Sequence, residues 1–167
     1  MIRDARPYEF LIPTLPQHGM SPDSELIPYD LMLARLRTDL DWQFGFIREV
    51  QACCPAPIFH IEAPPPVRSE ALMLKSVYAH FATAMEEFGC PTVSHRFKQW
   101  WIWTHTAKEI CDTLGVRFIT APPETRDEEG FLAEAYHLDG VHGNDAYGAL
   151  VARDICKMIA ANQHSAG

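Results

Sequence analysis

Apolar positions recur along the chain first at helical spacing and then in short unbroken runs, and this alternation predicts the order of elements. A short extended run at Phe10-Leu11-Ile12-Pro13 and a loop from Pro16 to Pro22 come first. Leu33, Leu36, Leu40, Phe44 and Ile47 then share one face of a helix that begins near Pro28, a residue the first turn tolerates, and stops before Pro55. Pro57-Ile58-Phe59-His60-Ile61-Glu62 reads as a buried strand, with Pro64-Pro65-Pro66 as a stiff loop at its C-terminal end. Leu74, Val77, Tyr78, Phe81, Met85 and Phe88 predict a second helix ended by Gly89. Trp100, Trp103, Ala107, Cys111 and Leu114 predict a third, closed by Gly115 as its C-cap. Val116 to Thr120 makes the next strand, followed by Pro122-Pro123, and Tyr147, Val151, Ile155 and Met158 form the stripe of a last helix. Strand and helix alternating at these lengths predict a single α/β domain over residues 1–167, with parallel strands joined by right-handed crossovers. Ligands gather beyond the carboxyl ends of such strands, so both proline-rich loops and the turn at 139–142 are expected to share one rim.

Bulk properties narrow the partners. At 47% hydrophobic and 22% charged residues the composition is that of an ordinary globular chain. A formal net charge of −8 with no basic run speaks against nucleic acid or an anionic membrane surface. No apolar run approaches the ~18 residues of a membrane span, and the start lacks the basic-then-apolar layout of a signal peptide. The expected location is cytoplasmic, with a targeting segment upstream of Met1 left open. Five cysteines, an odd number with Cys53 and Cys54 adjacent, do not make a disulfide framework and fit a reducing compartment. Cys111 and Cys156 lie near apolar stripes and are expected as buried free thiols.

The segment Leu138-Asp139-Gly140-Val141-His142-Gly143-Asn144-Asp145-Ala146-Tyr147 carries the chemistry. A serine hydroxyl is a poor nucleophile until a histidine takes its proton, and that histidine needs a carboxylate to fix its tautomer and stabilise the imidazolium. The Gly140-Val141 insert lets the chain reverse so that Asp139 reaches the δ nitrogen of His142 and leaves the ε nitrogen facing outward. Asn144 reads as an N-cap, with Asp145 in the first turn complementing the helix dipole. On spacing alone the plainer reading is favoured, a turn in which Asp139 caps local amides and His142 is a polar loop residue.

The wider pattern moves the balance toward a dyad. The Asp139-x-x-His142 block leading into the final helix resembles the last block of the SGNH or GDSL hydrolases. Upstream, Pro57 to Glu62 with Pro64-Pro65-Pro66, Arg96-Phe97-Lys98-Gln99-Trp100 and Gly115-Val116-Arg117-Phe118-Ile119 look like the later strands and helices of bacterial members, so that the resemblance covers about Tyr8 to Ile159. It implies a flavodoxin-like three-layer α/β/α fold with a parallel sheet. The family's Gly-Asp-Ser nucleophile block and its Gly and Asn oxyanion blocks are absent. None of the serines at 21, 24, 69, 76, 94 and 165 has the strand-to-helix setting, and the opening from Met1 to Pro13 looks like the segment that the family carries after its Asn block. The expectation is a C-terminal portion of such a hydrolase, with the first strands missing, Met1 internal to the natural reading frame, and no hydrolysis by the chain alone. A newly exposed sheet edge would then recruit another chain, predicting a homo-oligomer.

The resemblance implies catalytic roles for Asp139 and His142, no cofactor and no metal, and an acyl ester substrate on a lipid, a glycan or a small alcohol. The alternative is a catalytically silent domain serving as a binding or assembly module. His137, Asp139, His142 and Asp145 invite a metal, yet His-x-Asp-x-x-His is not an established ligand spacing and lacks a third anchored imidazole or thiolate. Trp100, Trp101 and Trp103 suggest either a sugar platform or, with Trp100 and Trp103 on one stripe, core packing. His60 reads as a hydrogen-bonded buried histidine. Glu124, Arg126, Asp127, Glu128 and Glu129 read as a solvated, mobile loop or, less economically, a lid.

Overall fold

The computed structural model describes residues 8–20, 24–75 and 85–165. Val77, Tyr78 and Phe81 of the expected second helix lie outside the described residues, as do Met1 to Pro7, Ser21 and Ser76. Strands β1 (Tyr8–Glu9) and β2 (Glu25–Leu26) pair in parallel and lead into helix α1 (Tyr29–Cys53). Strand β3 (Phe59–Ile61), the short helix α2 (Glu70–Lys75), helix α3 (Val93–Leu114), strand β4 (Arg117–Ile119) and helix α4 (Asp145–Ser165) come next. Two 3-10 turns, Pro123–Thr125 and Glu134–Tyr136, fill the connection between β4 and α4. Among the described residues the molecule is mixed helix and strand with two small parallel sheets, and β3 pairs with β4 in the register Phe59↔Arg117, His60↔Phe118, Ile61↔Ile119.

Local chemistry explains the boundaries. Pro28 precedes α1, where its missing N–H costs nothing, and Leu40, Phe44 and Ile47 are the buried face that the spacing anticipates. Thr92 caps α3 by accepting from the His95 amide (3.1 Å), and Gly115 ends it in the left-handed region at φ 67°, which a Cβ would strain. Asn144 caps α4, its Oδ1 accepting the Tyr147 amide at 3.1 Å.

Three apolar clusters hold these elements. Leu40, Phe44 and Ile47 of α1 pack on Ala107 and Cys111 of α3 and on Val116. Phe10 and Ile12 pack with Ile102 of α3, and Val67, Ala121, Leu132, Tyr147 and Val151 gather beyond the C-terminal ends of β3 and β4. One turn of α3, residues 95–98, is wholly buried and ties distant segments by polar contacts. The Arg96 guanidinium donates to the carbonyls of Val67 (3.0 Å), Arg68 (2.9 Å) and Pro91 (2.6 Å). Lys98, fully buried, donates to Glu9 and to the carbonyls of Phe10 (3.0 Å) and Gly19 (2.9 Å), while His95 Nδ1 lies 3.4 Å from the same Glu9 oxygen.

Several expectations change. Cys111 is buried, and burial pushes its thiol up to about 11, but Cys156 is exposed because it lies beside the stripe rather than on it. All five cysteines are free. His60 sits in an aromatic box of Phe44, Trp103 and Phe118, and its Nε2 has no hydrogen-bond partner among the described residues. Trp103 packs against the first cluster, and Trp100 Nε1 donates to the Ala63 carbonyl at 3.1 Å. The charged stretch at 124–129 is solvated at Glu124, Glu128 and Glu129 but fastened at its middle: Asp127 accepts from Arg68 (2.7 Å) and from the amides of Glu129 and Phe131, and Thr125 is buried.

Candidate active site

Asp139 and His142 meet in a short loop between the Glu134–Tyr136 turn and α4. An antiparallel bridge between His137 and Gly143 closes the loop, reinforced by Leu138 N–H to His142 O at 3.0 Å and Asn144 N–H to Tyr136 O at 2.9 Å. The His137 side chain is engaged outside the loop, its Nε2 donating to the Leu132 carbonyl at 2.8 Å. Within the loop, Asp139 Oδ1 accepts the amides of Val141 (2.8 Å) and His142 (2.7 Å). Its other oxygen, Oδ2, accepts from His142 Nδ1 at 2.8 Å. The carboxylate therefore does both things the sequence left open. It caps the turn with one oxygen and orients the imidazole with the other.

The same contacts set the electrostatics. Burial pushes the Asp139 carboxyl up, but the His142 ring and the two amides together outweigh it and hold the group below its ordinary range. Asp139 is ionised at neutral pH, as a partner that must stabilise an imidazolium has to be. The side chains stay accessible, His142 at 47% and Asp139 at 30%.

Two glycines let this loop lie close to its supports. A Cβ on Gly140 would fall 2.8 Å from Met73 Cα in α2 and 2.9 Å from its sulfur. A Cβ on Gly143 would fall 2.4 Å from Cγ and Cδ1 of Tyr147 in α4. Gly140 does not have a positive φ, so the chain reverses here without left-handed backbone, and close approach is what demands glycine. The loop rests on α2 on one side and on the first turn of α4 on the other.

Below Tyr147 lies a buried acid that the sequence reading did not single out. Glu62, the residue after β3, accepts the Ala121 amide at 2.6 Å and Arg126 Nη2 at 3.0 Å. Burial raises its carboxyl above the ordinary range despite these contacts. The Tyr147 phenol, whose oxygen is buried without a hydrogen-bond partner among the described residues, is pushed up to about 12 by burial and by Glu62. A glutamate closing an apolar strand just before a proline run was the available signal. The loops after β3 and β4 do meet, with Leu132 N–H donating to Pro66 O at 3.1 Å and Val67, Ala121, Leu132 and Tyr147 packed together.

Of the described serines, Ser69 accepts the Leu72 amide at 3.1 Å at the start of α2, and Ser94 Oγ is buried without a partner among the described residues. Among the described residues no group of three or more His, Cys, Asp and Glu side chains is placed to hold a metal, and no helix is long and apolar enough to cross a membrane. No protein-family model matches the chain, and neither a curated protein nor a solved structure matches it.

Proposed function

We propose that the chain carries the acid–base half of an SGNH-type serine ester hydrolase, with Asp139 orienting and His142 acting as general base and then general acid. The observation that carries this reading is the 2.8 Å contact from His142 Nδ1 to Asp139 Oδ2 in a turn that the same carboxylate also locks through two amides. That arrangement fixes tautomer and ring orientation before any substrate arrives. In the same reading the parallel β3–β4 pair belongs to a flavodoxin-like three-layer sheet, and the nucleophilic serine lies outside this chain. Its hydroxyl oxygen attacks the carbonyl carbon of an acyl ester on a lipid, a glycan or a small alcohol, and its proton passes to His142. Collapse of the tetrahedral adduct expels the alcohol, which takes that proton, and water then releases the acid by the same relay.

The test is fluorophosphonate labelling of the natural full-length product. Labelling is expected, and His142→Ala abolishes it; persistent labelling in that variant removes His142 from the mechanism. The chain alone is expected to turn over p-nitrophenyl acetate no faster than background, since loss of a triad nucleophile costs on the order of a millionfold.

A second reading, a catalytically silent binding or assembly module, is favoured by the exposure of Trp42 and Phe46 on α1.

A further inference from the structure

Helix α1 is apolar on the side where it needs to be and also on the side where it does not. Leu40, Phe44 and Ile47 face the core. At about 100° per residue, Leu31, Arg35, Thr38, Trp42, Phe46, Glu49 and Cys53 form a second stripe directly opposite, and every one of them is exposed. Trp42 is 84% exposed and Phe46 62%. A helix with apolar residues on both faces is normally covered on both, and a tryptophan so exposed, one turn from an exposed phenylalanine, is the composition of an interface centre rather than of a solvated surface.

The order of residues along this stripe says what covers it. Reflected about Trp42, the stripe is complementary to itself: Leu31 meets Cys53, Arg35 meets Glu49, Thr38 meets Phe46, and Trp42 meets its own copy. The steps of four, three, four, four, three and four residues average about 3.7, close to the helix's own 3.6 residues per turn, so the stripe runs nearly straight along the helix. Orientation is fixed by charge. Side by side in parallel, Arg35 would face Arg35 and Glu49 would face Glu49, whereas the antiparallel arrangement gives two Arg–Glu pairs flanking the aromatic centre. Among the described residues Arg35 pairs along its own helix with Asp39, at 3.0 Å between two half-exposed side chains, and solvent competes with such a contact.

We propose that this outward face of α1 is a self-docking surface, on which a second copy of the chain lays its own α1 antiparallel about a two-fold axis at Trp42. The interface is isologous and closes, so it makes dimers and not fibres. It is independent of the dyad, and it is distinct from pairing through a sheet edge.

The experiment is sedimentation velocity on the full chain from low to high micromolar concentration. A concentration-dependent shift from monomer to dimer is expected. Trp42→Ala with Phe46→Ala leaves a monomer throughout, with an unchanged far-UV spectrum because both residues are exposed and neither belongs to the apolar clusters. Arg35→Glu raises the dimer Kd about tenfold or more by placing like charges together, and adding Glu49→Arg to it restores association. A chain that stays monomeric at every concentration overturns the proposal. So does a dimer indifferent to the aromatic pair, as edge pairing would be, or an Arg35→Glu defect that Glu49→Arg leaves uncorrected.

Discussion

Replacing Gly143 by alanine puts a methyl group where the structure has no room for one. Its carbon would lie 2.4 Å from Cγ and Cδ1 of Tyr147 and 2.7 Å from its Cβ, where carbon pairs normally rest at roughly 3.5–4.0 Å. Those atoms sit at the root of the side chain, on the first turn of α4, so a rotation of the ring does not clear them. Either the loop or the helix has to shift. Overpacking of this kind costs about 1–3 kcal/mol, and each kcal/mol lowers Tm by about 2–4 °C in a chain of this size. Tyr147→Ala alone removes a buried aromatic and costs about 3–5 kcal/mol. In the double variant the new methyl meets no ring but still lies 2.7 Å from the Cβ that alanine keeps, so part of the overpacking cost remains and the coupling is a fraction of the ~1–3 kcal/mol of Gly143→Ala alone. Urea unfolding followed by far-UV circular dichroism measures all three. Carboxyl NMR titration of Asp139 reports the turn itself. In Gly143→Ala the displaced amides of Val141 and His142 let its pKa climb toward the ordinary range, and the double variant brings it part of the way back down. Costs that simply add, or an Asp139 titration unmoved in Gly143→Ala, would refute the claim that Tyr147 seats this loop.

Acid and stability are linked with opposite signs at the two carboxylates. Asp139 titrates below its ordinary 3.8 in the fold, so its contribution is complete above that value and is lost as pH falls through the folded value. The deficit of Asp139→Asn against the native chain therefore shrinks on acidification below 3.8. Glu62 titrates above its ordinary 4.5, so its contribution is complete below 4.5 and is lost as pH rises through the folded value. Glu62→Gln accordingly gains on the native chain as pH climbs from 4.5, and urea midpoints at a series of pH values that ran parallel for native and variant would contradict either statement. Lys98→Met strands the buried Glu9 carboxylate and is expected to cost about 3–5 kcal/mol, with Glu9→Gln in the same chain recovering part of the loss. A single-variant cost under ~1 kcal/mol would show that the ion pair is dispensable.

What was legible in the sequence is what local spacing encodes. Helix α1 from Pro28, helix α3 to Gly115, the strands around Phe59 and Phe118, and the Asn144 cap all derive from periodicity and from residues within one turn of each other. The Asp139–His142 contact was not decided by spacing, which favoured a turn with Asp139 on local amides, and the carboxylate in fact makes both sets of contacts. Contacts across long stretches of chain were not legible. Glu62 meets Arg126 over 64 positions and Lys98 meets Glu9 over 89, and neither partner announces the other. Gly140 read as a turn residue for its backbone freedom, yet its backbone does not use that freedom; what it accommodates is Met73, far upstream. Arg126 and Asp127 read as solvated because charge runs usually are, and the carboxylate and guanidinium that hold them come from other parts of the chain.

The tie between Lys98 and residues 9, 10 and 19 also sets a timetable. A ribosome adds about 5–20 residues per second, so the segment carrying Phe10 and Ile12 emerges several seconds before the ammonium that will hold it exists. Until then its greasy side has no home. A nascent chain of this kind offers a holdase a defined window and a defined epitope, and the stretch around Phe10, though made before Lys98, reaches its final place only after it.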